Sequence, residues 1–144
     1  MDKAHLARLL SGILSGLVSL VSLRMALRSL SAKTWLPFHA AAAGVEWASL
    51  APRSRLLLLF MVRAVGLGFL ALFFLLAIVP ASLAWDPEPL VCVAILLTGT
   101  TYCAGLGTLT LWLHRETAAS TPWRGAFAAA AALVTAALLS VLGT

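Results

Sequence analysis

The chain has 144 residues, of which 62% are hydrophobic and 10% are charged, and its mean hydropathy is +1.02. Soluble globular domains are about half apolar and about a quarter charged, so this composition excludes an ordinary soluble protein. The formal net charge of +5 is concentrated between apolar segments, where basic residues set membrane topology and meet lipid headgroups, so we expect an integral membrane protein that binds no nucleic acid.

Four apolar segments are long enough to cross a bilayer, which requires about 20 residues per helix. The sequence therefore predicts an all-α integral membrane protein, a four-transmembrane-helix bundle that forms a single polytopic domain. One short amphipathic or re-entrant helix is expected between the first two spans. The predicted spans are residues 6–27, 56–79, 90–113 and 123–143, and the short helix covers residues 37–50.

The first span carries serines at helical spacing on one stripe, with a GxxxG pair beside it. A basic start precedes this span, as in a signal peptide, but no cleavage pattern follows it, so we expect a retained span. Small side chains let another helix approach closely. We therefore favour helix packing as the role of the serine stripe, over the alternative that its hydroxyls line a path through the membrane. The expected packing residues are Ser11, Gly12, Ser15, Gly16 and Ser19.

The segment between the first two spans is too broken for a confident span and too apolar for a free loop. Pro37 suits the first turn of a helix and Pro52 ends one. Trp35 and Trp47, near its ends, favour a position at headgroup depth or tucked into the bundle. Positions seven apart on this helix nearly eclipse, which places two polar residues, His39 and Glu46, on one face.

The second span contains an arginine, Arg63. The free energy of inserting a charged side chain at the bilayer centre is about 2.5–3.5 kcal/mol on insertion scales, so an arginine here requires an explanation. At 1.5 Å per residue it lies about 10 Å inside the boundary, within reach of the headgroups. Alternatively, Arg63 pairs with Glu46 and, together with His39, binds a lipid phosphate or a small acidic ligand. In an enzyme, His39 or Glu46 would be the general base.

The third span is the most polar, and the fourth is rich in alanine. Cys92 and Cys103 are eleven residues apart on one predicted helix, about 16 Å along its axis, so they cannot form a disulfide with each other. One face of the third span combines small residues and hydroxyls, and we expect it to point to the bundle interior. It consists of Thr98, Thr101, Gly105, Thr108 and Trp112.

The basic residues near the spans predict the orientation. Seven lie in the connections after the first and third spans, whereas two precede the first span and the turn WDPEP is acidic. The positive-inside rule then places both termini outside and the basic connections in the cytoplasm. A composition rich in Ala, Leu and Arg and poor in Lys is compatible with a GC-rich bacterial genome, so the expected location is the bacterial cytoplasmic membrane.

No complete catalytic set, nucleotide motif or metal-binding cluster emerges, and the three histidines, His5, His39 and His114, all fall near span ends. We therefore predict no cofactor and no metal. The favoured function is a small accessory or structural subunit that packs against lipids and against other membrane protein subunits or further copies of itself. The alternatives are a lipid-directed enzyme or binder using Arg63, Glu46 and His39, and a small self-assembling channel or transporter lined by the threonines of the third span.

Overall fold

The structure is a computed structural model that describes residues 3–83 and 89–143. Over these residues it is all-helical, and four helices are long and apolar enough to cross a membrane, which confirms the predicted fold class. The predicted acidic turn at residues 85–88 lies outside the described residues. The helices are α1 (Lys3–Leu30), α2 (Pro37–Ala43), α3 (Pro52–Leu83), α4 (Pro89–Thr117) and α5 (Trp123–Leu142), with one 3₁₀ turn at Trp47–Ser49.

The long helices extend beyond the predicted apolar spans. α1 has 28 residues and α3 has 32, which at 1.5 Å per residue correspond to about 42 and 48 Å. The hydrocarbon core of a bilayer is about 30 Å thick, so the helix ends reach the headgroup layers. Helix formation does not stop at the edge of the apolar run, because leucine, alanine and arginine are all good helix formers.

Neighbouring long helices run antiparallel. α1 packs along α3 and α5, α4 packs along α5, and α3 touches α4 over a shorter stretch. The two ends of the described chain meet, since Arg8 Nε donates a hydrogen bond of 2.7 Å to the carbonyl of Gly143 at the end of α5. We call this side the terminal end, and the opposite side, with residues 31–51 and 118–122, the connection end.

The core lies between the four long helices and consists of leucines packed against small residues. Leu76, Leu96 and Leu133 are fully buried. Gly99 of α4 makes room for them, because a Cβ atom at this position would lie 3.0 Å from Leu133 Cδ1 and 3.2 Å from Leu76 Cδ2. The centre of the bundle therefore depends on a glycine that faces large side chains from two other helices.

The serine stripe of α1 is the face that packs inside the bundle. Ser11, Ser15 and Ser19 are buried. Two of these hydroxyls bond to other helices: Ser11 Oγ donates to the carbonyl of Ala136 on α5 at 2.8 Å, and Ser19 Oγ donates to that of Phe73 on α3 at 3.1 Å. Small polar side chains thus bring three backbones close together and bond across the gaps. The GxxxG residues Gly12 and Gly16 lie beside the stripe and are half-buried.

Candidate functional site

The short helix after α1 ends earlier than the sequence predicts. α2 stops at Ala43 because Gly44 takes the left-handed conformation, with φ of 64°, and its N–H bonds to the carbonyl of Ala40. Glu46 follows in an extended conformation that begins the 3₁₀ turn. The expectation that His39 and Glu46 share one helix face is therefore wrong.

His39 lies on α2, the helix that contacts α4. Its ring stands 3.9 Å from the ring of Phe38, and its Nδ1 atom is buried without a hydrogen-bond partner in the structure. Burial lowers the pKa of His39 below its ordinary value of 6.5, because a charged imidazole would lose hydration there. This arrangement favours the neutral ring, which packs as a half-buried aromatic side chain.

Arg63 lies beside the end of α1 and is exposed. Its guanidinium donates to the carbonyl of Ala32 at 3.4 Å. One turn away, Gly66 packs against Ser29, so Arg63 lies just beyond the last turn of α1. Ala32 follows the end of α1 by two residues. The negative end of the helix dipole lies beside it, so a cation is stabilised here without a carboxylate.

The predicted ion pair between Arg63 and Glu46 is wrong. Both side chains are exposed, and no hydrogen bond or ion pair joins Arg63, Glu46 and His39 to one another among the described residues. Glu46 instead supplies its backbone carbonyl to Ser49. That these residues bind a lipid-like or acidic ligand stays a prediction.

We expect Arg63→Leu to destabilise the bundle by about 0.5–1.5 kcal/mol, the usual net value of one hydrogen bond, because the carbonyl of Ala32 loses its donor. Arg63→Lys should retain most of that stability. The measurement is the unfolding midpoint in sodium dodecyl sulfate, with Arg24→Leu as the control at another exposed arginine. Equal midpoints for Arg63→Leu and the parent protein would contradict this role of Arg63.

The threonine and glycine face of α4 lies outside the bundle. Thr98, Thr101, Gly105 and Thr108 are exposed, and Trp112 is 59% exposed. The expectation that this face points to the interior is therefore wrong. We call residues Ala94, Thr98, Thr101, Gly105 and Thr108 the α4 outer face.

The opposite side of α4 fills the core, because it accepts large side chains from the neighbouring helix. Leu133 of α5 packs onto Gly99, and the ring of Phe127 lies 3.1 Å from where a Cβ of Gly107 would stand. Both stripes of α4 contain small residues at helical spacing. The stripe that meets these two side chains becomes the inner one.

The α4 outer face differs from the surfaces that α1 and α3 present to lipid. α1 and α3 expose large apolar side chains such as Leu17, Leu20, Phe60 and Phe74. By contrast, the α4 outer face has no side chain larger than threonine. Its hydroxyls donate to carbonyls four residues earlier on the same helix, as Thr101 Oγ1 does to Leu97 at 2.9 Å, so they are already satisfied.

The turn between α4 and α5 forms a feature that the sequence does not predict. Ala118 adopts a positive φ of 53°, and its N–H bonds to the carbonyl of His114 at 2.9 Å. Thr121 Oγ1 then donates to the carbonyl of Thr110 at 2.8 Å, which folds the turn back onto α4. The result is a half-open cavity of about 280 Å³, called here the turn cavity, lined by His114, Ala118, Ser120, Thr121, Trp123 and Arg124.

Within residues 3–83 and 89–143, no group of three or more His, Cys, Asp or Glu side chains could hold a metal ion. The two cysteines are buried and form no disulfide with each other, as their spacing predicts. Comparison of the chain with family models, curated proteins and solved structures finds no match.

Proposed function

We propose that this protein is a small accessory subunit that packs against a helix of a partner membrane protein through the α4 outer face. Small-residue faces occur on α1, α4 and α5. The α1 stripe and the α5 residues that it meets are filled inside the bundle, where Ser11 bonds to the backbone of Ala136. Two small-residue stripes remain uncovered, the α4 outer face and a shorter stripe on α5 formed by Gly125, Ala128, Ala131 and Thr135. The greater length of the α4 outer face carries the proposal.

The physical argument concerns packing, because burial away from water does not drive association within a bilayer. Two helices associate in lipid when their backbones can approach closely and gain van der Waals contact. A Cβ atom added at Gly105 would meet nothing within 4 Å, so the backbone of α4 is open to a neighbour there. Exposed Leu97 and Leu109 lie beside the small residues and provide side chains that a partner helix can pack around.

The proposal includes the location and orientation expected from the charge distribution. Of the ten lysines and arginines, eight lie near the connection end, Arg63 among them, and two near the terminal end. By the positive-inside rule, the connection end faces the cytoplasm of a bacterial cell and both termini lie outside. Anionic lipids of the cytoplasmic leaflet would then surround the connection end.

The decisive experiment compares Gly105→Leu with the parent protein by native mass spectrometry after mild extraction from the original membranes. We expect a stoichiometric partner with the parent protein and at least about a tenfold loss of that partner with Gly105→Leu, because the added side chain holds the helices apart. Ala71→Leu is the matched control, since it enlarges an exposed small residue on α3. It should leave the partner bound.

Two outcomes would overturn the proposal. A parent protein that is released as a single chain has no stable partner. A homo-oligomer that Gly105→Leu dissociates would assign the α4 outer face to self-assembly, which favours the channel or transporter alternative over an accessory subunit.

A further inference from the structure

The turn cavity lies at the connection end, away from the middle of the α4 outer face. The proposed contact with a partner helix does not involve it. Its lining contains no carboxylate, and its charged member is Arg124. The nearest acidic residue in sequence, Glu116, is exposed and does not line the cavity. Electrostatically, the cavity is therefore suited to an anion.

Arg124 is held at the rim of the cavity by an aromatic ring. Its guanidinium carbon lies 5.1 Å from the centroid of the Trp123 ring, within the range of a cation–π contact. The side chain is exposed, so its N–H groups remain available to a ligand. A planar guanidinium forms paired hydrogen bonds with phosphate oxygens, and stacking on a ring reduces the freedom it loses on binding.

The first turn of α5 borders the same cavity, since Trp123 and Arg124 both line it. Pro122 precedes the helix and provides no side-chain cap. The first N–H groups of a helix have no partner within it and lie at the positive end of its dipole. The turn cavity therefore lies beside the full positive charge of Arg124 and the partial positive charge at the N-terminus of α5.

His114 and Ser120 complete the polar lining. His114 Nδ1 lies 2.7 Å from the carbonyl of Ala119, so the proton on Nδ1 is donated to that carbonyl. His114 Nε2 is then the ring nitrogen without a bond to the turn. The Ser120 side chain is exposed and supplies a hydroxyl.

Size and position narrow the class of ligand. The cavity has a volume of about 280 Å³. Pockets that bind drug-sized ligands are slightly larger, at about 300–1,000 Å³. Trp123 belongs to the residue type enriched at the membrane–water interface, and His114 with Arg115 ends the apolar part of α4. A small anion at headgroup depth fits this space, whereas a large cofactor does not.

We propose that the turn cavity binds a phosphate group, with Arg124 and the first turn of α5 as its main donors. An anionic phospholipid headgroup and free inorganic phosphate share this chemistry. The lipid would enter from the headgroup layer with its acyl chains along α4 and α5, whereas inorganic phosphate would enter from water.

The test is a native mass spectrometry titration of the purified protein with phosphatidylglycerol, with phosphatidylcholine and with inorganic phosphate. We expect one tightly held phosphate-bearing ligand, and at least about a tenfold weaker affinity in Arg124→Ala, because the variant loses the charge-assisted hydrogen bonds to the phosphate oxygens. Arg24→Ala removes an exposed arginine from α1 and should bind as the parent does. Circular dichroism of each variant checks that the helices persist.

The titrations separate the two sources. Selective retention of phosphatidylglycerol over phosphatidylcholine, undisturbed by millimolar phosphate, identifies the lipid headgroup. Binding of inorganic phosphate that displaces any bound phosphatidylglycerol identifies the free anion. Equal binding by Arg124→Ala, Arg24→Ala and the parent protein would overturn the proposal, and so would the absence of any bound phosphate in the parent.

Discussion

Gly66→Leu is expected to disrupt the packing of α1 against α3. A Cβ atom at Gly66 would stand 2.9 Å from Ser29 Cβ and 3.2 Å from the backbone nitrogen of Leu30. Real Cβ atoms do not come within 3.0 Å of another atom, as this one would to Ser29 Cβ. Leu30 Cγ, at 3.1 Å, can rotate aside, but Ser29 Cβ and Leu30 N are fixed to the helix, so α1 itself must move away from α3.

Forcing extra methylenes into a packed interior usually lowers the free energy of unfolding by about 1–3 kcal/mol. We expect Gly66→Leu to lower it by more than this. The measurement is the unfolding transition in sodium dodecyl sulfate, followed by circular dichroism. Gly105→Leu is the matched control, because nothing lies within 4 Å of a Cβ at Gly105. It should be neutral or slightly stabilising, since leucine favours a helix over glycine by up to about 1 kcal/mol.

If Gly66→Leu and Gly105→Leu unfold at the same detergent fraction, the close approach of α1 and α3 is incorrect. The same pair of variants separates folding from association. Gly105→Leu should preserve the bundle while losing the proposed partner. Gly66→Leu should lose the bundle first.

The existence and order of the four membrane helices could be predicted because membrane insertion depends on local composition. A run such as residues 56–79 is apolar almost throughout, and in lipid every backbone N–H and C=O must be satisfied within the helix. These two facts determine a spanning helix without reference to the rest of the chain. The described helix bounds extend beyond the predicted spans because helices continue into the headgroups.

The inner face of α4 could not be predicted from α4 alone. Thr101 and Gly105 on one side, and Gly99 and Gly107 on the other, both form stripes of small residues at helical spacing. The choice depends on the side chains that approach from α5, about 20 to 35 residues later in the chain. Hydrophobicity does not determine which stripe of α4 faces the interior either, because both the bundle interior and the lipid are apolar.

The region around α2 contained a signal that the sequence analysis did not use. Gly44 follows a run of four alanines, and glycine after such a run is the common left-handed end of a helix. Ending the helix there separates His39 from Glu46. It also leaves Arg63 without the proposed carboxylate, so that the carbonyl of Ala32 becomes its acceptor.

The turn cavity had no comparable signal. Its shape depends on Ala118 at positive φ, a conformation that glycine or asparagine would have indicated and alanine does not. It also depends on the bond from Thr121 to the carbonyl of Thr110, which joins residues that no helical spacing relates. His114 could be placed at headgroup depth from the sequence, but its neighbours across the turn could not.

The second large effect is expected at the centre of the core, where Leu133 packs onto Gly99. Leu133 is fully buried, and Leu133→Ala leaves a cavity beside Leu76. Leucine-to-alanine changes in cores cost about 2–5 kcal/mol. We expect the lower part of this range, because in a bilayer the loss is mainly of packing contacts and the transfer from water contributes little.

Gly99→Ala tests the same contact from the other side. The new methyl group would lie 3.0 Å from Leu133 Cδ1, so alone it should cost about 1–3 kcal/mol by crowding. In the double variant, Leu133→Ala removes the atom that the methyl group meets, and the methyl group fills part of the cavity. The double variant should therefore lose at least about 1 kcal/mol less unfolding free energy than the sum of the losses in the two single variants. Strictly additive costs in sodium dodecyl sulfate unfolding would show that Gly99 and Leu133 are not in contact, and would contradict the packing of α4 on α5.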